Sequence, residues 1–248
     1  MHLAGLDALV WAIGLIAHIV LLYVLLKRHR AGRFPAFTIL IAANVIRTIA
    51  LYLTFRLGSR FAYFYAYWAL AIGDVVLQLL VVREMAAKVF RPLGKWATDV
   101  KCGLLWLICG SIAIAVGLTW LGPVHGSDWR EMFVNRGSFF TAILMSELFV
   151  GMVALSVTVG LPWKSHTTRI AHGLGIYSVV CLLIETTKTS FATPDPQTVA
   201  LLTHLRMGIY LLCVTYWIVM LWWEEPATKP LPNEVRERLY RLQSHYHL

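Results

Sequence analysis

The chain has little charge. Asp, Glu, Lys and Arg make up 14% of its 248 residues, while 58% are hydrophobic and the mean hydropathy is +0.67. A soluble domain takes roughly a quarter of its residues from the charged types to cover itself with a wettable surface, so this composition excludes one. Cysteine is also scarce. Cys102, Cys109, Cys181 and Cys213 all fall within or at the ends of apolar runs and form no C-x-x-C pair, which argues against a disulfide framework and against a thiolate metal site. The sequence contains no H-E-x-x-H, phosphate-binding G-x-x-x-x-G-K-[ST] or G-x-S-x-G, so neither catalytic nor metal-binding residues are expected, and no cofactor. Runs such as Leu6–Leu26 do not alternate in polarity, which removes the transmembrane barrel.

What remains is long apolar runs. Charge-poor stretches at 6–26, 35–55, 62–82, 102–122, 138–161, 170–187 and 199–223 each match the roughly 20 residues needed to cross a hydrocarbon core of about 30 Å. The expected fold class is an all-α integral membrane protein, a seven-transmembrane-helix bundle over 1–223. A cytoplasmic tail follows over 224–248, in which Pro226, Pro230 and Pro232 stiffen a linker and Asn233 caps a short basic amphipathic helix through about Gln243. The first span lacks a basic leader and an A-x-A site, so it reads as a retained reverse anchor. Of the 22 Lys and Arg residues, fifteen fall on one side of the spans and five on the other, with Arg47 and Arg206 inside spans. Basic loops stay in the cytoplasm, which places the N-terminus outside and the C-terminus inside. The net charge of +9 therefore implies contact with anionic headgroups and not with nucleic acid.

Connections are short apart from three. The third span is expected to run on as helix through Arg83–Lys88 until Pro92 stops it, and longer outer loops are expected at Pro123–Gly137 and Phe191–Thr198. Aromatic residues at span ends, among them Tyr63, Phe64, Tyr65, Tyr67 and Trp68 outside and Trp163, Trp222 and Trp223 inside, read as interfacial anchors. Gly103, Gly110 and Gly117 recur every seven residues in the fourth span and read as a close-packing stripe.

The functional signal is polarity at membrane depth, where each charge costs about 2.5–3.5 kcal/mol on insertion scales and faces inward, pairs, or serves function. At about 1.5 Å of rise per residue, Glu185 and His204 lie roughly 8 Å below the outer surface, Arg206 about 11, Arg47 about 12, Glu147 about 14, and Asp74 and His18 about 18. Helical spacing aligns Asn44 with Arg47, Tyr67 with Asp74 and Gln78, Tyr177 with Cys181, Glu185 and Lys188, and Thr203 with Arg206, Tyr210 and Trp217. If these stripes converge they line an outward-facing polar pocket with Asn44, Arg47, Tyr67, Asp74, Gln78, Glu147, Glu185, His204, Arg206 and Tyr210 as ligand-binding residues. The bland alternative is a set of interhelical ties, Arg47–Asp74 and Arg206 to Glu185 or Glu147, with Lys188 snorkelling outward. Haem and retinal are disfavoured: His18, His172 and His204 lie at different depths, and the last span has no deep lysine.

The segments Arg33–Phe37 (RFPAF), Tyr63–Trp68 (YFYAYW), Val82–Glu84 and Phe90–Pro92 resemble a group of uncharacterised seven-helix proteins of acidobacterial type, with a weaker echo at Ile170–Tyr177. The resemblance implies a multi-pass address in a bacterial inner membrane and no particular activity. The topology also looks like that of bacterial seven-helix sensor modules. The expectation is a receptor- or sensor-like membrane module that binds a small ligand in an outward-facing pocket and signals through a protein partner on the cytoplasmic side or in the membrane. The alternatives are a small transporter or channel, or a structural subunit of a larger membrane complex.

Overall fold

The structure, a computed structural model, describes residues 5–90, 97–122, 129–158, 166–190 and 195–224. The expected tail helix Asn233–Gln243 and the stop at Pro92 lie outside them. The described residues form seven α-helices and no strand: α1 (Gly5–Lys27), α2 (Pro35–Leu57), α3 (Arg60–Phe90), α4 (Ala97–Leu121), α5 (Trp129–Thr158), α6 (His166–Ser190) and α7 (Pro196–Trp222). Six of them are long and apolar enough to cross a membrane, so the chain is a multi-pass membrane protein; α4 contributes a shorter apolar run, Leu105–Leu121.

Residue contacts fix how the helices run. Arg47 meets Asp74 while Phe37 meets Glu84, Asn44 meets Tyr210 while Phe37 meets Trp217, and Glu185 meets Arg206 while Gly173 meets Trp217, so α2 is antiparallel to α3 and to α7, and α6 to α7. His18 meets Tyr210 while Arg30 meets Trp223, which makes α1 and α7 parallel and adjacent. The first and last helices thereby close the ring, and α4 sits outside it on α5 and α3. The bundle has two ends, one holding the α1–α2 turn and the other the α2–α3 turn.

The α1–α2 end is tied together by backbone chemistry. The Arg30 N–H donates to Leu25 O at 2.8 Å and the His29 N–H to Leu26 O at 3.1 Å, the two bonds of a Schellman cap, with His29 in the left-handed conformation at φ 53° that glycine more often supplies. That turn carries the buried Arg30 guanidinium to the Trp223 carbonyl, 2.6 Å away. Pro35 opens α2, where its missing N–H costs nothing. Another first-turn donor, the Phe37 N–H, finds Glu84 Oε2 of α3 at 3.1 Å, and Lys88 pairs with the same carboxylate at 2.8 Å while lying over the Phe34 ring and donating to the Arg33 carbonyl. A carboxylate at a helix N-terminus satisfies an orphan donor and the helix dipole together. The expected cytoplasmic extension of α3 is thus the strut that caps α2; at 31 residues α3 is about 46 Å long, more than a bilayer core requires.

Three sequence expectations are corrected. The loop Pro123–Gly137 is shorter than supposed, because α5 already begins at Trp129 and carries Arg136 and Gly137 inside the helix; the polar residues there mask a helical start. Likewise α7 begins at Pro196, inside the stretch expected to be a turn. The glycine stripe of α4 does not serve packing inside the bundle: nothing lies within 4 Å of a Cβ built on Gly110 or Gly117, and α4 instead presses Leu107 onto Gly151 of α5. Small residues permit close approach without requiring it.

Candidate functional site

The candidate site is a cavity of about 720 Å³ inside the ring, with walls from α1, α2, α3, α5, α6 and α7. It extends from Tyr63 and Thr203 near the α2–α3 end to Leu40 and Trp217, which form its floor. Eight of the ten residues picked out by spacing line it: Asn44, Arg47, Tyr67, Asp74, Gln78, Glu185, Arg206 and Tyr210. The stripes therefore do converge, because ring closure turns one face of each helix toward a shared axis. Glu147 and His204 are not among the lining residues. Glu147 lies at the α4–α5 contact, hydrogen-bonded to Ser111, with its Oε2 buried and unpartnered. The His204 Nδ1–H donates to the Ala200 carbonyl at 2.7 Å.

Ties and pocket coexist. Arg47 Nη1 lies 3.5 Å from Asp74 Oδ2, and the Gln78 amide donates to the same oxygen at 2.7 Å. Arg206 Nη1 is 3.1 Å from Glu185 Oε1, and Lys188 Nζ reaches that same oxygen at 3.2 Å. The structure thus gives Arg206 to Glu185 and not to Glu147, and it holds Lys188 on its own helix's carboxylate, one turn away. Four of the six walls, α2, α3, α6 and α7, carry a member of a pair, so the cavity's charges are fixed by contacts across α2–α3 and α6–α7.

A second, neutral network crosses the middle of the bundle. The His18 Nδ1–H donates to the Gly14 carbonyl at 2.6 Å, which assigns the proton of the neutral imidazole to Nδ1 and leaves Nε2 as an acceptor. The Tyr210 hydroxyl, 2.7 Å from Nε2, is then the donor, and its oxygen accepts from Asn44 Nδ2 at 3.3 Å. This chain orients the Asn44 amide with Oδ1 away from Tyr210. The Tyr210 ring lies 4.9 Å from that of Tyr177, whose hydroxyl accepts from Arg206 Nε at 3.4 Å and so joins the neutral network to the charged one.

The ten residues named as ligand-binding omit His18, Tyr177, Tyr63 and Trp68, all of which line the cavity, although Tyr177 already lies on the α6 stripe. Tyr177 stands one helical turn before Cys181 and two before Glu185, so the spacing was sufficient to include it. His18 is the lone ionisable group deep in an apolar helix, and that isolation was its signal. The aromatic run of α3 is split by helical geometry and is not a uniform anchor: Phe61 and Tyr65 are exposed, whereas Tyr63, Tyr67 and Trp68 turn into the cavity. Trp68 packs on Gly137, where a Cβ would come within 2.7 Å of the indole, and on the Phe133 ring at 4.6 Å, so it closes the α3–α5 seam.

Below the floor the middle of the bundle is apolar. Leu21, Leu25, Val81, Val82, Met85, Val214 and Leu221 are fully buried around Trp217, which meets the Phe37 ring edge-on at 5.3 Å. Among the described residues no group of His, Cys, Asp and Glu could hold a metal ion. Cys181 and Cys213 are buried free thiols. No protein-family model, curated protein or solved structure matches the chain.

Proposed function

We propose that the chain is a receptor-like membrane module of seven crossings, with its N-terminus outside, that admits a small ligand from the α2–α3 end into the central cavity. The binding event passes to a separate protein on the cytoplasmic side or in the membrane. One observation carries this reading: beneath the cavity floor the middle of the bundle is closed by fully buried apolar side chains with Trp217, and the buried Arg30 and His166 of that half sit beyond them, at the helix ends. A carrier needs a hydrated path through both halves, and a constriction lined by Leu, Val and Trp favours dewetting. The seventh crossing is assigned to α4, whose 25 residues span about 37 Å. The proposed orientation is supported by Lys27, Arg28, Arg30, Arg33 and Lys88, which gather at the α1–α2 end with Trp222 and Trp223. The address in a bacterial inner membrane rests on the sequence resemblance alone.

The test is sided access to the cavity. Leu211 lines the cavity in its deeper half. In oriented vesicles, a single cysteine at Leu211 on a background without native cysteines is expected to react with a membrane-impermeant thiol reagent added outside and not with the same reagent inside. Reaction from both sides favours the transporter, and reaction from neither favours the structural subunit.

A further inference from the structure

We propose that the cavity binds a monoanion, a small carboxylate carried on an apolar or aromatic body, with Arg47 and Arg206 as its anchors. The proposal rests on the reading of the cavity as a ligand site and names the class of ligand.

The first argument is unused donors. Arg47 meets Asp74 only as a 3.5 Å ion pair, and none of its N–H groups makes a hydrogen bond to any described residue. Arg206, which lines the cavity, spends Nη1 on Glu185 and Nε on Tyr177, which leaves Nη2 without a hydrogen bond to any described residue, and its side chain is 38% exposed. A guanidinium carries five donors in a planar fork matched to a carboxylate, so donors left idle at membrane depth are expensive unless a ligand engages them.

Charge balance gives the sign and size of the ligand charge. Arg47 and Arg206 face Asp74 and Glu185 across the cavity, and Lys188, which lies outside the lining, shares Glu185 Oε1, so the five-residue cluster carries an excess of one positive charge. A monocarboxylate neutralises the layer; a dianion overshoots it. An ammonium ligand has the opposite difficulty, although tyrosine faces are good surfaces for one. Each carboxylate is already engaged, Glu185 Oε1 by two cations and Asp74 Oδ2 by Arg47 and Gln78. A cationic ligand could reach Glu185 Oε2 or Asp74 Oδ1 but would raise the cluster's positive excess to two, whereas an anion meets vacant N–H groups and cancels the excess.

The rest of the ligand is read from the walls. The Tyr177 and Tyr210 rings, inclined at 56° to each other, lie between the charged layer and the apolar floor, which suits an aromatic or alkyl body directed toward Trp217. The His18–Tyr210–Asn44 chain points Asn44 Oδ1 away from Tyr210 as an acceptor without a partner among the described residues, so a hydroxyl or N–H on that body gains a bond there.

The experiment uses the full chain in lipid nanodiscs. Phenylacetate, 3-phenylpropionate and octanoate are titrated beside the amine and alcohol of the same carbon skeleton, with binding read from intrinsic tryptophan fluorescence, since Trp11, Trp68 and Trp217 line the cavity. The carboxylates are expected to bind saturably and at least about tenfold more tightly than their amines and alcohols, the worth of one charge-assisted hydrogen bond. Arg206→Gln and Arg47→Gln are expected to remove that advantage, and Arg206→Lys to retain part of it. Tighter binding of the amines, or carboxylate binding indifferent to both Gln substitutions, overturns the anionic class while leaving the ligand cavity standing. Binding of none of the three chemistries removes the ligand-site reading and this inference with it. The comparison of carboxylate with amine is made on the unsubstituted chain, so it decides the charge class even where a variant fails to fold.

Discussion

The seal beneath the cavity depends on a close approach between α6 and α7 at Gly173. A Cβ built there would stand 2.4 Å from Trp217 Nε1, 2.6 Å from Cε2 and 2.8 Å from Cζ2. Ordinary contact begins near about 3.4 Å, so Gly173→Ala requires the helices or the indole to move by about 1 Å. The indole has nowhere to go: it is 1% exposed and edge-on to Phe37 at 5.3 Å. Overpacking of this kind costs about 1–3 kcal/mol, which divides the folded-to-unfolded ratio by roughly 5 to 150. Membrane helices associate largely by packing, so no solvent term offsets the loss. Unfolding in mixed detergent micelles measures it, with Gly110→Ala as the control, because that position faces open space and should be neutral or slightly stabilised. Trp217→Phe removes the atoms in question at its own cost, and the pair Gly173→Ala with Trp217→Phe should be at least about 1 kcal/mol more stable than the sum of the single changes predicts. Strict additivity, or a Gly173→Ala no worse than Gly110→Ala, would refute the packing argument.

Three further outcomes follow from the same coordinates. Arg47→Ala leaves Asp74 with Gln78 alone and should lower stability by about 1–3 kcal/mol, less than for a fully buried pair because both side chains keep some exposure, while Arg47→Lys should recover part of the loss; a neutral Arg47→Ala in the same micelle assay would mean that the pair is solvated. Tyr210→Phe deprives His18 Nε2 of its donor and Asn44 Nδ2 of its acceptor, so a loss of about 1–2 kcal/mol is expected, together with an altered His18 ring resonance in NMR; an unchanged resonance would show that the bond is not made. Single cysteines at Ser59 and Gly32 occupy the two opposite turns of α2, and impermeant labelling of Ser59→Cys only from outside and Gly32→Cys only from inside is expected; the reverse pattern inverts the orientation.

The helical bundle was legible because length and apolarity report on the bilayer and not on neighbours. What the same signal missed was where polar residues belong to helices. Arg136 and Gly137 were read as loop because the stretch after Pro123 is polar, yet α5 starts at Trp129, and its first turns are covered by Phe64 and Trp68 of α3. Nothing in a local window shows a tertiary cover. The α4 glycines failed for the opposite reason: their sevenfold spacing is a true face, and the chain alone does not say whether any helix lies on it.

The site was legible to the extent that helical spacing fixes azimuth. Along α3, Tyr67, Asp74 and Gln78 share one face and all reach the cavity; along α6, Cys181 and Glu185 do the same. Glu147 was chosen for depth alone, with no companion on its own face, and it faces Ser111 of α4. Depth measures the cost of a charge, whereas a stripe of several polar groups at helical spacing measures direction, and only direction decides whether a side chain meets the common axis or a neighbouring helix. The exact partners needed the ring to be closed. Arg206 stood at a similar depth to Glu147 and Glu185, and the antiparallel contact of α6 with α7 is what brings Glu185 to 3.1 Å. That contact continues one helix face further to Gly173 and Trp217, so the ion pair at the top of the α6–α7 seam and the tight packing at its base are set by the same register. A shift of one turn, about 5.4 Å, would break both. The polar half of the cavity thus takes its precision from the apolar half, which is why the packing at Gly173 bears on the geometry of Arg206 although roughly 16 Å of α7 separates Arg206 from Trp217.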